Sequence, residues 1–234
     1  MIGAKIPVEP FPGAVAEVRS RNLLGGLLLI SLALYANTIF NGFVHDDHLQ
    51  IERNPYIRSF KDAPKLLTTP VWSLVGSESL ATYYRPVMSF GFLLGYKLFG
   101  LNPYGYHLMN VLLHVSVVWL VYAVTSRLFR RGEYGFLAAL VFALHPIHTE
   151  PVAWIDGVPD IELTLFYLLS FLFFLRLGEG AMRHSARIRA GMLVGFALAL
   201  LSKETAMTLP FLVTAYEHFV REDRAATSWR TRNA

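Results

Sequence analysis

The chain has 234 residues, of which 54% are hydrophobic and only 16% are charged. Soluble domains usually carry about 25% charged residues, and here the apolar residues are gathered in blocks, so the composition indicates an integral membrane protein. The absence of cysteine excludes disulfides, thiol nucleophiles and thiolate metal sites. The net charge of +4 comes mostly from arginines at the ends of apolar blocks, without a basic and aromatic stripe, so no nucleic-acid partner is expected.

Apolar blocks predict an all-α, polytopic membrane protein with about six spans. The predicted spans are residues 23–40, 106–126, 135–144, 161–175, 190–201 and 206–220. The first block is long enough for a span of about 20 residues and lacks a cleavage pattern, so an uncleaved span is expected. The third and fifth blocks are short. Their polar outer ends are therefore expected to lie below the membrane surface and to enclose a wet cavity.

The distribution of arginine predicts the orientation of these spans. Arginines are frequent before the first block and after the second, fourth and sixth, whereas residues 145–160 contain no Lys or Arg. Both termini are therefore expected in the cytoplasm, with residues 145–160 outside. Residues 85–100 are apolar but short, and a full span there would invert the downstream topology, so an interfacial helix is predicted. One membrane module, 1–221, and a polar cytoplasmic tail, 222–234, follow from this arrangement.

Two adjacent carboxylates, Asp46 and Asp47, follow the first span at the predicted outer surface. Charged groups beside a spanning helix indicate a functional site. Adjacent side chains point in different directions, so one can face a substrate as general base while the other binds a cation or orients the loop. The alternative is a turn that the acids only cap or solvate. The flanking His45 and His48 make the motif too compact for a complete metal site, so a divalent cation stays open and no cofactor is assigned.

Cationic groups are predicted on the same face. Arg85 and Lys203 are candidates for neutralising a phosphate, since such contacts strengthen where water is excluded. Glu204, next to Lys203, is a further candidate substrate-binding residue. The alternatives are a surface charge for Arg85 and an internal ion pair of Lys203 with Glu204. Lys97 is better explained as an interfacial lysine that extends its head group toward water.

Histidines and one acid complete the candidate site. His107 and His114 lie seven residues apart and share a helix face, with His107 expected to reach the cavity and His114 to be a core residue. His145, His148 and Glu150 are candidate ligands or hydrogen-bond donors and acceptors. Prolines flank this segment, so a rigid loop cap is an equally good interpretation.

Six motifs in a fixed order carry a resemblance to a known family. They are Phe43-Val-His-Asp-Asp47, Asn54-Pro55, Tyr84-Arg-Pro86, Gly100-Leu-Asn-Pro-Tyr-Gly-Tyr-His107, His145-Pro-Ile-His-Thr-Glu150 and Leu201-Ser-Lys-Glu204. Their order resembles the amino-terminal membrane region of the transmembrane and tetratricopeptide-repeat protein family. Those proteins are GT-C-type glycosyltransferases, more distantly related to the protein O-mannosyltransferases. The resemblance covers about residues 23–220.

The resemblance implies transfer of a sugar, typically mannose, from a polyprenyl-phosphate donor to a Ser or Thr hydroxyl of a protein. One acid of the Asp46–Asp47 pair would deprotonate the acceptor, which attacks with inversion, while Arg85, Lys203 and His107 would hold the lipid phosphate. The expected location is a bacterial inner membrane, with the site facing the periplasm. A further membrane or tetratricopeptide-repeat partner is also expected.

Two departures from the family pattern leave other functions open. A Gly-Arg-x-Asp/Glu pattern is usual in the family, but here Gly157-Val-Pro-Asp160 lacks the basic residue. Family members also continue into further spans and repeats, so the module is expected to be incomplete. One alternative is a non-catalytic scaffold that acts through partner chains. A transporter is least favoured, because transporters place ionisable groups near the bilayer midplane, and the first, second and fourth predicted spans have no Asp, Glu, Lys or Arg near their middle.

Overall fold

The structure is a computed structural model that describes residues 14–76, 83–178 and 185–221, and these parts are helices and turns without a strand. The predicted cytoplasmic tail, 222–234, lies outside the described residues. The α-helices are α1 (Ala14–Tyr35), α2 (Ala63–Thr68), α3 (Pro86–Phe99), α4 (Pro103–Phe129), α5 (Gly132–Leu144), α6 (Thr149–Ala153), α7 (Val158–Gly178), α8 (Ser185–Ser202) and α9 (Leu209–Tyr216). The all-α prediction is therefore confirmed.

Three described segments are long and apolar enough to cross a membrane: Leu23–Phe40, Pro103–Phe129 and Ile155–Gly178. A fourth span results if α5 and the helical segment Pro146–Ala153, which meet at a bend of 55°, are one broken span. The chain is thus a membrane protein, and the count of six spans stays a prediction. The sixth predicted span contains only the short helix α9, between a 3-10 turn (Glu204–Thr208) and a π-helical turn (Glu217–Arg221).

A bundle of long helices forms the inner part of the molecule. Helix α4 packs against α1, α5 and α7, and α7 packs along α8. Leu120 and Val124 of α4 are buried against Phe171 and Leu172 of α7. Lipid tails are as apolar as these side chains, so helix association in a membrane depends on close packing rather than on the hydrophobic effect.

Close packing is most evident where α4 turns back into α5. A Cβ atom built on Gly135 would lie 1.9 Å from Ser126 Oγ and 2.7 Å from the Tyr122 carbonyl oxygen, so only glycine fits there. Arg130 ends α4 in the left-handed conformation with φ 55°, which lets the chain reverse within two residues. The two helices are therefore joined as a tight hairpin.

Short helical turns between His48 and Val75 cover one end of this bundle and form a second layer, the outer layer. Ile51, Ile57 and Leu66 in this layer are fully buried against α3 and Ile155. The Asn54-Pro55 motif starts one turn and Asn102-Pro103 starts α4, and each Asn side chain accepts a hydrogen bond from the backbone N–H two residues later. Asn as N-cap followed by Pro is a usual helix start. Helix α3 confirms the helix predicted at residues 85–100, and its interfacial position stays a prediction.

Candidate functional site

A cavity of about 540 Å³ lies between the outer layer and the start of α7. Five predicted site residues line it: Asp46, Arg85, His148, Glu150 and Lys203. Its other lining residues are Val71, Trp72, Tyr83, Met88, Ile147, Pro151, Trp154, Asp156, Gly157, Pro159 and Asp160. Binding pockets for small molecules commonly have volumes of about 300–1,000 Å³ with a few convergent polar groups. The cavity brings carboxylates and cations from distant parts of the chain into one place.

The two acids Asp46 and Asp47 have different surroundings and therefore different roles. Asp47 is fully buried and does not line the cavity. Its Oδ2 accepts a hydrogen bond from Val44 N (2.9 Å) and its Oδ1 accepts one from Asp156 N (3.0 Å). Burial raises the pKa of Asp47, and the two hydrogen bonds oppose this shift. Asp47 therefore ties the first outer loop to the segment before α7.

Asp46 is half-buried and lines the cavity, so it is the acid of the pair that a substrate can contact. Its carbonyl oxygen accepts hydrogen bonds from Leu49 N (3.0 Å) and Gln50 N (2.8 Å), which anchor it to the turn that follows. The preceding His45 has φ 49°, an uncommon conformation for a residue with a side chain. Such positions often occur at functional sites, where the surrounding fold holds them.

Arg85 lies half-buried at the start of α3 and lines the cavity. Its guanidinium carbon is 4.8 Å from the centre of the Tyr83 ring, and its Nε has no hydrogen-bond partner among the described residues. Arg85 also interacts electrostatically with Asp156 and Glu162, both buried. A half-buried guanidinium beside a cavity suits recognition of an anion.

Lys203 pairs with Asp160 rather than with its neighbour. The Lys203 Nζ to Asp160 Oδ1 distance is 2.5 Å, and Asp160 belongs to the first turn of α7. The alternative of a Lys203–Glu204 pair is therefore wrong. Glu204 is exposed and does not line the cavity. Lys97 is also exposed and lies over the Phe60 ring at 5.6 Å, away from the cavity.

Three predicted histidines occupy different positions. His107 is 1% exposed, and its Nε2 lies 3.4 Å from the Gly42 carbonyl oxygen, so it contacts the loop before the acidic pair and does not line the cavity. His145 is exposed and caps the next turn, accepting a hydrogen bond from Ile147 N at 3.2 Å. His148 lines the cavity and packs against Phe142, with ring centres 4.0 Å apart.

A second, apolar groove of about 860 Å³ runs between α4 and α5 and shares His148 and Ile147 with the cavity. His145 lines this groove. The buried His114 packs between Tyr35 and Phe142, as expected for a core residue, although its Nε2 has no hydrogen-bond partner among the described residues.

Sequence reasoning missed the residues just before and within the first turns of α7. Asp156 lies in the predicted outer loop, residues 145–160, where no sequence pattern assigns it a specific role, and Glu162 lies at the start of the predicted span 161–175. An acid inside an apolar block is a usable signal, since such residues are costly and often functional. The position of Trp154 could not be inferred, because it depends on Asn110 of α4, whose Nδ2 donates to the Trp154 carbonyl oxygen at 3.0 Å.

No group of three or more His, Asp or Glu side chains in the described ranges is arranged to hold a metal ion. Of the carboxylates at the cavity, Asp160 pairs with Lys203 and Asp156 interacts electrostatically with Arg85. A requirement for a divalent cation, which the sequence left open, stays untested.

The described residues thus form an all-α membrane bundle with a carboxylate- and cation-lined cavity at one end. Comparison with known families gives a more specific result. The sequence model of the dolichyl-phosphate-mannose-protein mannosyltransferase family (PMT_2) matches residues 85–232, more than half of the chain. The chain belongs to this family.

The chain is also similar to curated proteins named as protein O-mannosyl-transferases. The chain is 34% identical to human protein O-mannosyl-transferase TMTC2 over 196 residues, which is 82% of this chain and 23% of the relative. It is 36% identical to Tmtc1 of Drosophila melanogaster over 206 residues (84% and 23%), and 34% identical to human TMTC1 over 229 residues (93% and 25%). The resemblance drawn from the ordered motifs is thereby confirmed.

The chain spans about a quarter of the length of these relatives. No solved structure matches it.

Proposed function

We propose that this chain carries the site at which a mannosyl group is transferred from a polyprenyl-phosphate donor to a Ser or Thr hydroxyl of a protein. The family description supports mannose and a protein acceptor. The observation that carries the proposal is that Asp46, Arg85 and Lys203, which are far apart in sequence, line one cavity. A carboxylate can act as general base toward the acceptor hydroxyl, and two cations can stabilise the charge of the phosphate that leaves.

The proposed reaction is a direct displacement with inversion. The acceptor oxygen attacks the anomeric carbon of the sugar while its proton passes to the Asp46 carboxylate. The bond between the anomeric carbon and the phosphate oxygen breaks, and the lipid phosphate leaves with the bonding electron pair. Arg85 and Lys203 stabilise the negative charge on the leaving phosphate, an effect that grows as the cavity excludes water. Asp47 acts indirectly, because it holds the two segments that carry Asp46 and Asp156.

The proposed orientation places the cavity on the extracytoplasmic side of the membrane. Arginine-rich connections at the opposite side support it. Donor lipid, acceptor protein and a further membrane or tetratricopeptide-repeat partner belong to the proposal. A bacterial inner membrane and a periplasmic site stay untested expectations, and the relatives compared above are animal proteins.

Sugar transfer in membranes containing the chain tests the proposal. The assay uses radiolabelled polyprenyl-phosphate mannose and a peptide rich in Ser and Thr. Asp46→Asn is expected to lower the transfer rate about 10²–10⁴-fold, because a general base contributes that much. Normal amounts of the variant in the membrane would separate this loss from misfolding.

Asp62→Asn is the matched control, since Asp62 lies in the same outer loop but does not line the cavity. Its transfer rate is expected to equal that of the unmodified chain. Full activity of Asp46→Asn would contradict the proposed base and would favour the scaffold alternative. Arg85→Met should weaken binding of the bare lipid phosphate, which the scaffold alternative does not require.

A further inference from the structure

The segment Trp154–Gly157 is held rigidly at the wall of the cavity by two side chains from elsewhere in the chain. Asn110 Nδ2 donates to the carbonyl oxygens of Trp154 (3.0 Å) and Ile155 (3.4 Å). Asp47 Oδ1 accepts from Asp156 N at 3.0 Å. The segment also turns tightly against α6, because a Cβ on Gly157 would lie 2.8 Å from Pro151 Cα. A wall fixed in this way can present side chains in one defined geometry.

Two polar atoms buried within this wall lack partners in the described part of the chain. They are Nε1 of Trp154, which can only donate a hydrogen bond, and Oδ1 of Asp156, which can accept one. Asp156 is only 9% exposed, and both residues line the cavity. Most buried polar groups have partners, so an unpaired donor and an unpaired acceptor beside one cavity call for an explanation.

We propose that Trp154 and Asp156 form a hexose-recognition subsite of the cavity. A sugar hydroxyl both accepts and donates hydrogen bonds, so one hydroxyl of the donor's hexose accepts from Trp154 Nε1 and donates to Asp156 Oδ1. Both atoms are buried, so this contact needs a small rotation of each side chain toward the cavity, a change that is common on binding. This inference rests on the proposed function and adds which residues read the sugar. Arg85 and Lys203, which line the same cavity, bind the phosphate of the donor in this arrangement.

The subsite makes a prediction about sugars that lack one hydroxyl. A site built to hydrogen-bond a hydroxyl rejects the analogue without it, because its own buried polar groups are then left unpaired. The four monodeoxy analogues of polyprenyl-phosphate mannose are compared with the parent donor. The unmodified chain is expected to disfavour one of them by roughly 10- to 100-fold in kcat/KM, the effect of leaving a buried donor and acceptor unpaired.

Two variants test whether Trp154 and Asp156 cause this discrimination. Trp154→Phe removes the donor and keeps an aromatic ring, and Asp156→Ala removes the acceptor while its backbone N–H can still bond Asp47. Each variant should reduce the penalty for the same analogue to less than about threefold, since the lost partners no longer interact. Asp156→Ala also changes the electrostatics near Asp46, but this affects all donors alike and cancels in the ratio. Trp72→Phe, on another part of the cavity wall, should keep the discrimination.

Binding measurements separate failure of the inference from failure of the proposed function. Affinities for bare polyprenyl phosphate, polyprenyl-phosphate mannose and its deoxy analogues are measured in nanodiscs without acceptor. Unchanged binding of bare polyprenyl phosphate shows that the variants are folded, and lost discrimination among the sugar lipids then supports the subsite even if no transfer occurs. Transfer or binding whose discrimination is the same in Trp154→Phe and in the unmodified chain would overturn the subsite and leave the proposed function intact.

Discussion

The inner bundle and the outer layer of this chain are built on different principles. In the bundle, α4 and α7 are long and apolar, and the shorter α5 packs against α4 through small residues such as Gly135. In the outer layer, short turns pack around a small apolar cluster and are fixed by individual hydrogen bonds between residues far apart in sequence, as between Asp47 and Asp156. The cavity lies where the two meet. The bundle therefore provides the platform, while a few polar contacts in the outer layer determine which side chains face the cavity.

The largest effect on stability is expected from Asp47→Ala. It leaves Asp156 N without its partner in the interior and removes the bond from Val44 N, at a cost of roughly 2–4 kcal/mol. Thermal unfolding in detergent measures the change. Transfer activity should fall as well, whereas Asp46→Asn should lose activity at nearly unchanged stability.

Asp62→Ala is the matched control for this change, because the Asp62 side chain makes no capping hydrogen bond to the helix it precedes. Its unfolding temperature is expected to match that of the unmodified chain. Equal stability of Asp47→Ala and Asp62→Ala would show that the outer layer does not depend on the Asp47 contacts.

In the bundle, Gly135→Ala is expected to cost about 1–3 kcal/mol, because its Cβ cannot fit beside Ser126 and Tyr122 without moving α5 away from α4. Thermal unfolding in detergent again measures the effect. The same substitution at Gly25, where a Cβ meets no atom within 4 Å, should leave stability unchanged or slightly higher. A neutral Gly135→Ala would mean that the hairpin is looser than its geometry indicates.

The bundle could be predicted from the sequence more fully than the site. An apolar run predicts the position of its helix closely. The block 161–175 lies within the helix Val158–Gly178, and the block 106–126 lies within Pro103–Phe129. The block 206–220 did not become one regular helix, since composition does not distinguish α9 from the adjoining 3-10 and π-helical turns.

At the site, the residue types were predictable but their partners were not. Two adjacent acids were expected to diverge, and they do, with Asp46 at the cavity and Asp47 in the interior. Which acid took which role depended on Asp156, 109 residues away. Lys203 pairs with Asp160 across two helices for the same reason, because only the folded bundle brings α7 beside the turn after α8.

The smallest expected effect concerns this Lys203–Asp160 pair, where the bundle and the outer face meet. The Asp160 side chain is 51% exposed, so the ion pair is screened by water and Asp160→Asn should change stability by at most about 1 kcal/mol. Removing the carboxylate leaves Lys203 uncompensated, so the cavity should bind a phosphate more tightly, by a few-fold. Affinity for bare polyprenyl phosphate, measured in nanodiscs at low and at high salt, checks this.

The gain should shrink as salt rises, because screening weakens an exposed charge more than a buried one. Lys203→Met should have the opposite sign, with weaker binding of the same lipid at low salt. Glu204→Gln is the control, since Glu204 is also acidic and exposed but does not line the cavity. If Asp160→Asn and Glu204→Gln raised affinity equally, the effect would come from net charge alone, and the ion pair would have no specific influence on the phosphate.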